Sequence, residues 1–146
     1  GPTLYVNPGD TIELTFINNL NNNAAARPFR NNEFSAPDET NIHFHGLHVS
    51  GELPSDDATL VLKPGEQYSY QTQLPLNHMP GTHWLHPHRH GSTSLQVGGG
   101  ALAAIIVQDP PGTLPTQVEN AREVLFVASE IDVGELLDVA TQSRDE

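Results

Sequence analysis

Short runs of apolar residues, separated by turn residues, limit how this chain can fold more than any other feature. Pro8-Gly9, Pro64-Gly65 and Pro111-Gly112 each fall between segments of strand length, and few windows show the periodicity of a helix. In Asp10–Asn18 apolar and polar residues alternate, which predicts a strand with one buried face. The whole pattern predicts an all-β sandwich.

The same reasoning predicts where the individual elements lie. The segments expected to be strands are Thr3–Asn7, Asp10–Asn18, Thr40–Gly46, Ala58–Leu62, Glu66–Leu74, Thr82–His88, Ala101–Val107 and Glu123–Ala128. Ala58–Leu62 and Glu66–Leu74 are expected to pair around the turn between them. Gly91–Val97 is expected to hold a short helical turn, and the asparagine-rich residues 18–35 a long exposed loop.

The composition excludes several classes of function. With 146 residues the chain is expected to form one domain, and its net charge of −12 disfavours nucleic acids and anionic membrane surfaces as partners. The longest apolar run, Ala101–Val107, is far too short to cross a bilayer. The sequence contains no cysteine, so it forms no disulfide and cannot by itself build a blue-copper site, which depends on a cysteine sulfur.

Two pairs of histidines carry the chemistry, His43 with His45 and His86 with His88. Side chains two apart on a strand point to the same side, with Cα atoms roughly 6.5–7 Å apart, so each pair can chelate one ion or reach two neighbouring ions. One pair alone fits copper or zinc, because imidazole binds both. If the two strands are neighbours, four imidazoles line one slot, as a multinuclear copper cluster requires.

At these motifs the sequence resembles the multicopper oxidases, the family that includes the laccases. Asn41–Leu47 is similar to the family's first copper motif, and Gly81–His88, followed by His90-Gly91-Ser92, is similar to its second. Asn7–Asp10 and Gly98–Val107 also match in kind, so the resemblance covers nearly the whole chain. It implies a cupredoxin-like fold, a Greek-key β-sandwich or barrel.

The resemblance also implies a cofactor and a reaction. His43 would ligate the type 2 copper of a trinuclear centre, His45 and His86 one type 3 copper, and His88 the other. In this family the trinuclear centre reduces dioxygen to water, with electrons from a type 1 copper that oxidises the substrate. The implied reactants are dioxygen and a reducing small molecule or metal ion, and the implied location is periplasmic or extracellular.

Asp56 and Asp57 come after the first motif, where the resemblance implies a carboxylate that relays protons to reduced oxygen. The reaction consumes protons, so Asp56 is assigned a catalytic role, with a solvated turn as the alternative. Trp84 is expected to pack beside the site, and Met79 is expected to be a packing residue and not an axial copper ligand. The remaining histidines, expected to support the ligands or to lie on the surface, are His48, His78, His83 and His90.

Residues 1–112 are expected to form the copper-binding domain, and residues 113–146 a connector and the start of a further element. The family takes its other copper ligands from a later domain with a His-Cys-His motif, which this sequence lacks. The predicted partners are therefore C-terminal cupredoxin domains or another subunit, without which the chain is expected to be inactive. Two alternatives stay open: a non-enzymatic copper-binding domain, and a mononuclear zinc hydrolase, for which neither pair has an obvious general base nearby.

Overall fold

The computed structural model of the chain describes residues 1–21 and 35–134. These contain the strands β1 (Leu4–Val6), β2 (Thr11–Ile17), β3 (His43–His45), β4 (Gln67–Gln73), β5 (Gly81–His86) and β6 (Ala103–Val107), and the helices α1 (Thr93–Gly98) and α2 (Thr116–Glu119). Most of the predicted loop at residues 18–35, and residues 135–146, lie outside the described part. In the described part, no helix has the length and apolar character needed to cross a bilayer.

The strands form two sheets. The larger has the order β1-β6-β5-β3, in which β1 runs parallel to β6 and the other pairs are antiparallel. The smaller pairs β2 with β4, from Thr11 opposite Gln73 to Ile17 opposite Gln67. The consecutive strands β1 and β2 belong to different sheets, and the turn between them uses Gly9 at φ +91°, a conformation that glycine adopts at little cost.

Side chains from both sheets share one core. Along β2, Ile12 is buried while Thr11 and Glu13 are exposed, as the alternating pattern predicted. Between the sheets, the rings of Phe44 and Tyr70 meet edge to face with centroids 5.9 Å apart. The hydroxyl of Tyr70 also accepts the backbone N–H of the residue before His43, at 2.9 Å. The predicted all-β sandwich is confirmed, and its core fixes β3 against β4.

The predicted strand Ala58–Leu62 is wrong. β4, its expected partner, pairs with β2 instead, and this segment makes one isolated bridge, between Leu62 and Thr40. The amide of Asn41 donates to two of the segment's carbonyl oxygens, at 2.9 Å each. Such bonds from a side chain give the backbone partners that a strand would otherwise supply.

The predicted strand Glu123–Ala128 is wrong as well. No described strand forms a ladder with this segment, and its apolar side chains face solvent, with Val124 73% and Phe126 85% exposed. Alternation produces a strand only where another strand offers backbone partners. The helical turn expected at Gly91–Val97 is present as α1.

Candidate metal centre

Two neighbouring strands, β3 and β5, place the histidine motifs side by side. Their antiparallel pairing sets His43 opposite His86 and His45 opposite Trp84. The ring centroids of His43, His45 and His86 lie 5.4 or 5.5 Å from one another. Since β3 is the edge strand of the larger sheet, the three rings gather at that edge.

The nitrogens of these three rings lie close enough together to be candidate ligands of a metal. Nδ1 of His45 lies 3.1 Å from Nε2 of His86, and one nitrogen from each of the three rings falls within 4.8 Å of the others. Two nitrogens that are each about 2 Å from one ion are separated by roughly 3 Å. No other group of three potential ligands in the described ranges is this close. The donor set and its spacing fit copper or zinc.

Asp56 orients His43. One carboxylate oxygen lies 2.9 Å from Nδ1 of His43, and the other accepts the backbone N–H of Phe44, also at 2.9 Å. A carboxylate accepts the proton of Nδ1 and so leaves Nε2 of His43 with a free lone pair for a metal. Asp57, the alternative considered from the sequence, turns away and binds the hydroxyl and backbone N–H of Thr59.

His86 is held in the form that binds metal. Its Nδ1 donates to the carbonyl of Pro87 at 2.9 Å, which leaves Nε2 without a proton and with its lone pair towards Nδ1 of His45. Burial lowers the pKa of His86; the bond to Pro87 opposes this shift, and the neighbouring histidine rings add to it. The imidazole is therefore uncharged at neutral pH, as a ligand must be.

His88 joins the site from a loop, because the strand predicted to run to His88 ends at His86. Pro87 has no N–H to offer a neighbouring strand, and the N–H of His88 is taken by the side-chain oxygen of Asn41 at 2.6 Å. The ring of His88 lies 5.0 Å from that of His43 and 6.0 Å from that of His86. The structure thus brings all four predicted ligands to one space, but His88 stands outside the close group of three.

Trp84 lies against two of the candidate ligands. Its ring stacks on His86 at a centroid distance of 4.0 Å and an angle of 23°, and on His45 at 5.0 Å and 28°. Stacking of this kind restricts the rotation of both imidazoles. It is also the chain's single tryptophan, so its fluorescence reports on this site alone.

A second cluster of histidines lies on the other face of β5. Nε2 of His78 accepts the backbone N–H of His48 at 3.0 Å, while its Nδ1 donates to the carbonyl of Met79 at 2.8 Å. The ring of His83 lies 5.4 Å from that of His78, and its Nε2 is buried without a hydrogen-bond partner. Burial, followed by the charges of His78 and His48, lowers the pKa of His83.

Sequence reasoning missed one residue that organises the site. The motifs assign no role to Asn41, whereas in the structure its side-chain oxygen accepts the backbone N–H of His88. Its position, two residues before His43, is the signal that could have indicated a role. Its actual partners are distant in sequence and depend on the fold.

Comparison with known proteins identifies the family. The sequence model of the multicopper oxidases matches residues 29–112, more than half of the chain. The chain belongs to the multicopper oxidase family. Membership implies copper, and the cluster of histidines between β3 and β5 is compatible with copper binding.

Individual relatives agree with this membership. The chain is 30% identical over 109 residues to the multicopper oxidase mco of Staphylococcus haemolyticus, covering 75% of this chain and 20% of that protein. It is 31% identical over 134 residues to laccase-2 of Thanatephorus cucumeris, covering 88% of this chain and 20% of that protein. The chain therefore spans about a fifth of the length of these relatives.

A solved structure gives the same result. The bacterial laccase-like multicopper oxidase CueO from Ochrobactrum sp. matches with a TM-score of 0.56 and 26% identity, over 75% of this chain and 20% of that one. The fold of this multicopper oxidase chain is accordingly the all-β, cupredoxin-like fold that the sequence motifs implied.

Proposed function

We propose that this chain supplies half of the histidine ligands of a trinuclear copper centre that reduces dioxygen to water while a substrate is oxidised. The observation that carries the proposal is the spacing of the His43, His45 and His86 nitrogens, within 4.8 Å of one another, in a chain of the multicopper oxidase family. His43 serves the type 2 copper, His45 and His86 one type 3 copper, and His88 the other. When bound, these coppers would pass to dioxygen the electrons that are taken from the reducing substrate.

The chain's own residues prepare the ligands. Asp56 and the carbonyl of Pro87 accept hydrogen bonds from Nδ1–H of His43 and His86, so that Nε2 of each ring carries no proton and keeps a lone pair for a metal. Asp56 also stands in reach of the site with its side chain 10% exposed, and we assign it the delivery of protons to reduced oxygen. Exposed His45 and His88 leave one side of the site open for the remaining ligands.

The rest of the centre comes from elsewhere. This sequence has no cysteine, so a type 1 copper and the other copper ligands belong to a further cupredoxin domain or another subunit. In this arrangement residues 1–112 are the copper-binding domain, and residues 113–146 are a connector and the start of a further element. The reducing substrate, a small molecule or a metal ion, binds near the type 1 copper and not on this chain.

Titration of the chain with copper(II) and, separately, with zinc(II) tests the proposal. Because Trp84 stacks on His45 and His86, we expect copper(II) to quench its fluorescence and to give a paramagnetic signal with nitrogen couplings. Zinc has a filled d shell and gives no such signal. Zinc bound far more tightly than copper would favour the zinc hydrolase, and no binding of either ion would refute the proposed site.

Oxygen consumption then separates the oxidase from a copper-binding domain without activity. The protein that contains this chain together with a segment carrying the missing ligands is expected to consume oxygen when a reducing substrate is added. Full copper loading without oxygen consumption would support the non-enzymatic alternative.

A further inference from the structure

Asn41 is completely buried, with 0% of its surface exposed, two residues before His43. Its side-chain oxygen accepts the backbone N–H of His88 at 2.6 Å, and its NH₂ group donates to the carbonyls of Ala58 and Leu60 at 2.9 Å each. The amide cannot be turned around, because carbonyls only accept and an N–H only donates. Both donors and one acceptor site of this side chain are therefore used in a single orientation.

These three bonds join two loops that reach the metal site from different sides. The loop held through Ala58 and Leu60 also contains Asp56, which orients His43. The loop held through the N–H of His88 carries a candidate ligand itself, with its ring 5.0 Å from that of His43. The buried amide of Asn41 thus connects the loop of Asp56, which supports the His43 imidazole, to the backbone of His88.

We infer that Asn41 is a positioning residue that sets the separation of His43 and His88, and with it the affinity of the site for copper. The inference rests on the proposed function, in which both histidines are copper ligands. Loss of the amide would leave buried carbonyl and N–H groups without partners, so both loops would shift to recover hydrogen bonds. The two rings would then no longer be held at a fixed distance.

Asn18 provides a matched control. It is 1% exposed and also makes three hydrogen bonds to the backbone: its NH₂ group donates to the carbonyls of Asp38 and Leu62, and its oxygen accepts the N–H of Leu20. None of these partners belongs to the histidine motifs. Asn41→Ser and Asn18→Ser therefore remove the same chemical group at the same burial, one at the site and one away from it.

The experiment measures copper(II) affinity of the wild-type chain and both variants by Trp84 fluorescence, together with thermal unfolding of each. We expect both variants to unfold at lower temperature, but only Asn41→Ser to lose copper affinity, by about 10- to 100-fold, the range seen when support of a ligand is removed. In metal-free protein, imidazole NMR signals of His43 and His88 should shift in Asn41→Ser and stay unchanged in Asn18→Ser.

Wild-type copper affinity in folded Asn41→Ser would overturn the inference, as would equal losses of affinity in the two variants. If Asn41→Ser does not fold, hydrogen exchange of the wild-type His88 amide decides instead. If copper binding favours the hydrogen bond from this amide to Asn41, the hydrogen bond favours copper binding to the same extent. Exchange of the His88 amide should therefore slow further when copper binds, and an unchanged exchange rate would overturn the inference. If the wild-type chain binds no copper, the proposed function is refuted, and this inference, which rests on it, is refuted as well.

Discussion

The two faces of β5 carry two clusters of histidines that differ in what their nitrogens do. On one face, Asp56 and the carbonyl of Pro87 each accept a hydrogen bond from Nδ1 of a ring and leave its Nε2 unprotonated, and three rings bring nitrogens within 4.8 Å of one another. On the other face, both nitrogens of His78 already have backbone partners, and Nε2 of His83 is buried with none. Among the described residues, only the first cluster brings a nitrogen from each of three rings close enough to make a candidate metal site.

The largest expected difference between the two clusters is in copper binding, which only the first cluster should show. His86→Ala removes a candidate ligand from the close group, and we expect the affinity for copper(II) to fall by more than about 100-fold, since loss of a supporting residue alone costs about 10- to 100-fold. His83→Ala, on the opposite face of the same strand, should leave it unchanged. Isothermal titration with copper measures both, and similar affinities in the two variants would contradict the assignment.

A smaller effect is expected when only the support of a ligand changes. In Asp56→Asn an amide NH₂ group can replace the oxygen that now lies 2.9 Å from Nδ1 of His43. Since that group donates, it favours the tautomer in which Nε2 carries the proton and cannot bind metal. Copper affinity, measured by the same titration, should drop by about 10- to 100-fold.

Asp57→Asn is the matched control for that variant. The carboxylate of Asp57 is bonded to Thr59, which holds its pKa below the usual value, and it does not contact the site. Copper affinity should stay at the wild-type value. If Asp57→Asn weakened copper binding as much as Asp56→Asn does, a general loss of negative charge would be the better explanation.

The smallest effect concerns the second cluster and pH. Burial lowers the pKa of His83 in the folded chain below its unfolded value of about 6.5, so as the pH falls past this value the unfolded chain takes up the proton first. Stability is lost on acidification, with a slope of at most about 1.4 kcal/mol per pH unit for this group. His83→Gln should make the slope shallower between pH 7 and 5.

Urea unfolding at several pH values measures this slope. An unchanged slope in His83→Gln would mean that His83 binds its proton equally well in both states. Copper affinity of His83→Gln should equal that of the wild-type chain, because His83 lies on the face of β5 opposite the candidate metal centre.

The wrong strand predictions share a physical cause. The sequence of Ala58–Leu62 has strand character, but Asn41 and an isolated bridge to Thr40 supply its backbone partners. The sequence of Glu123–Ala128 also alternates, yet no described strand forms a ladder with it. A strand depends on partners that are distant in sequence, and composition does not reveal them.

The amino-acid sequence by itself determined the all-β class, the identity of the two histidine motifs and the family, because turn residues, alternation and motif spacing are local properties. Only the tertiary structure decided that His43 faces His86, that Asp56 supports His43 and that Asn41 holds His88. These contacts join residues from 13 to 47 positions apart, and they depend on which strands become neighbours when the core between the sheets forms.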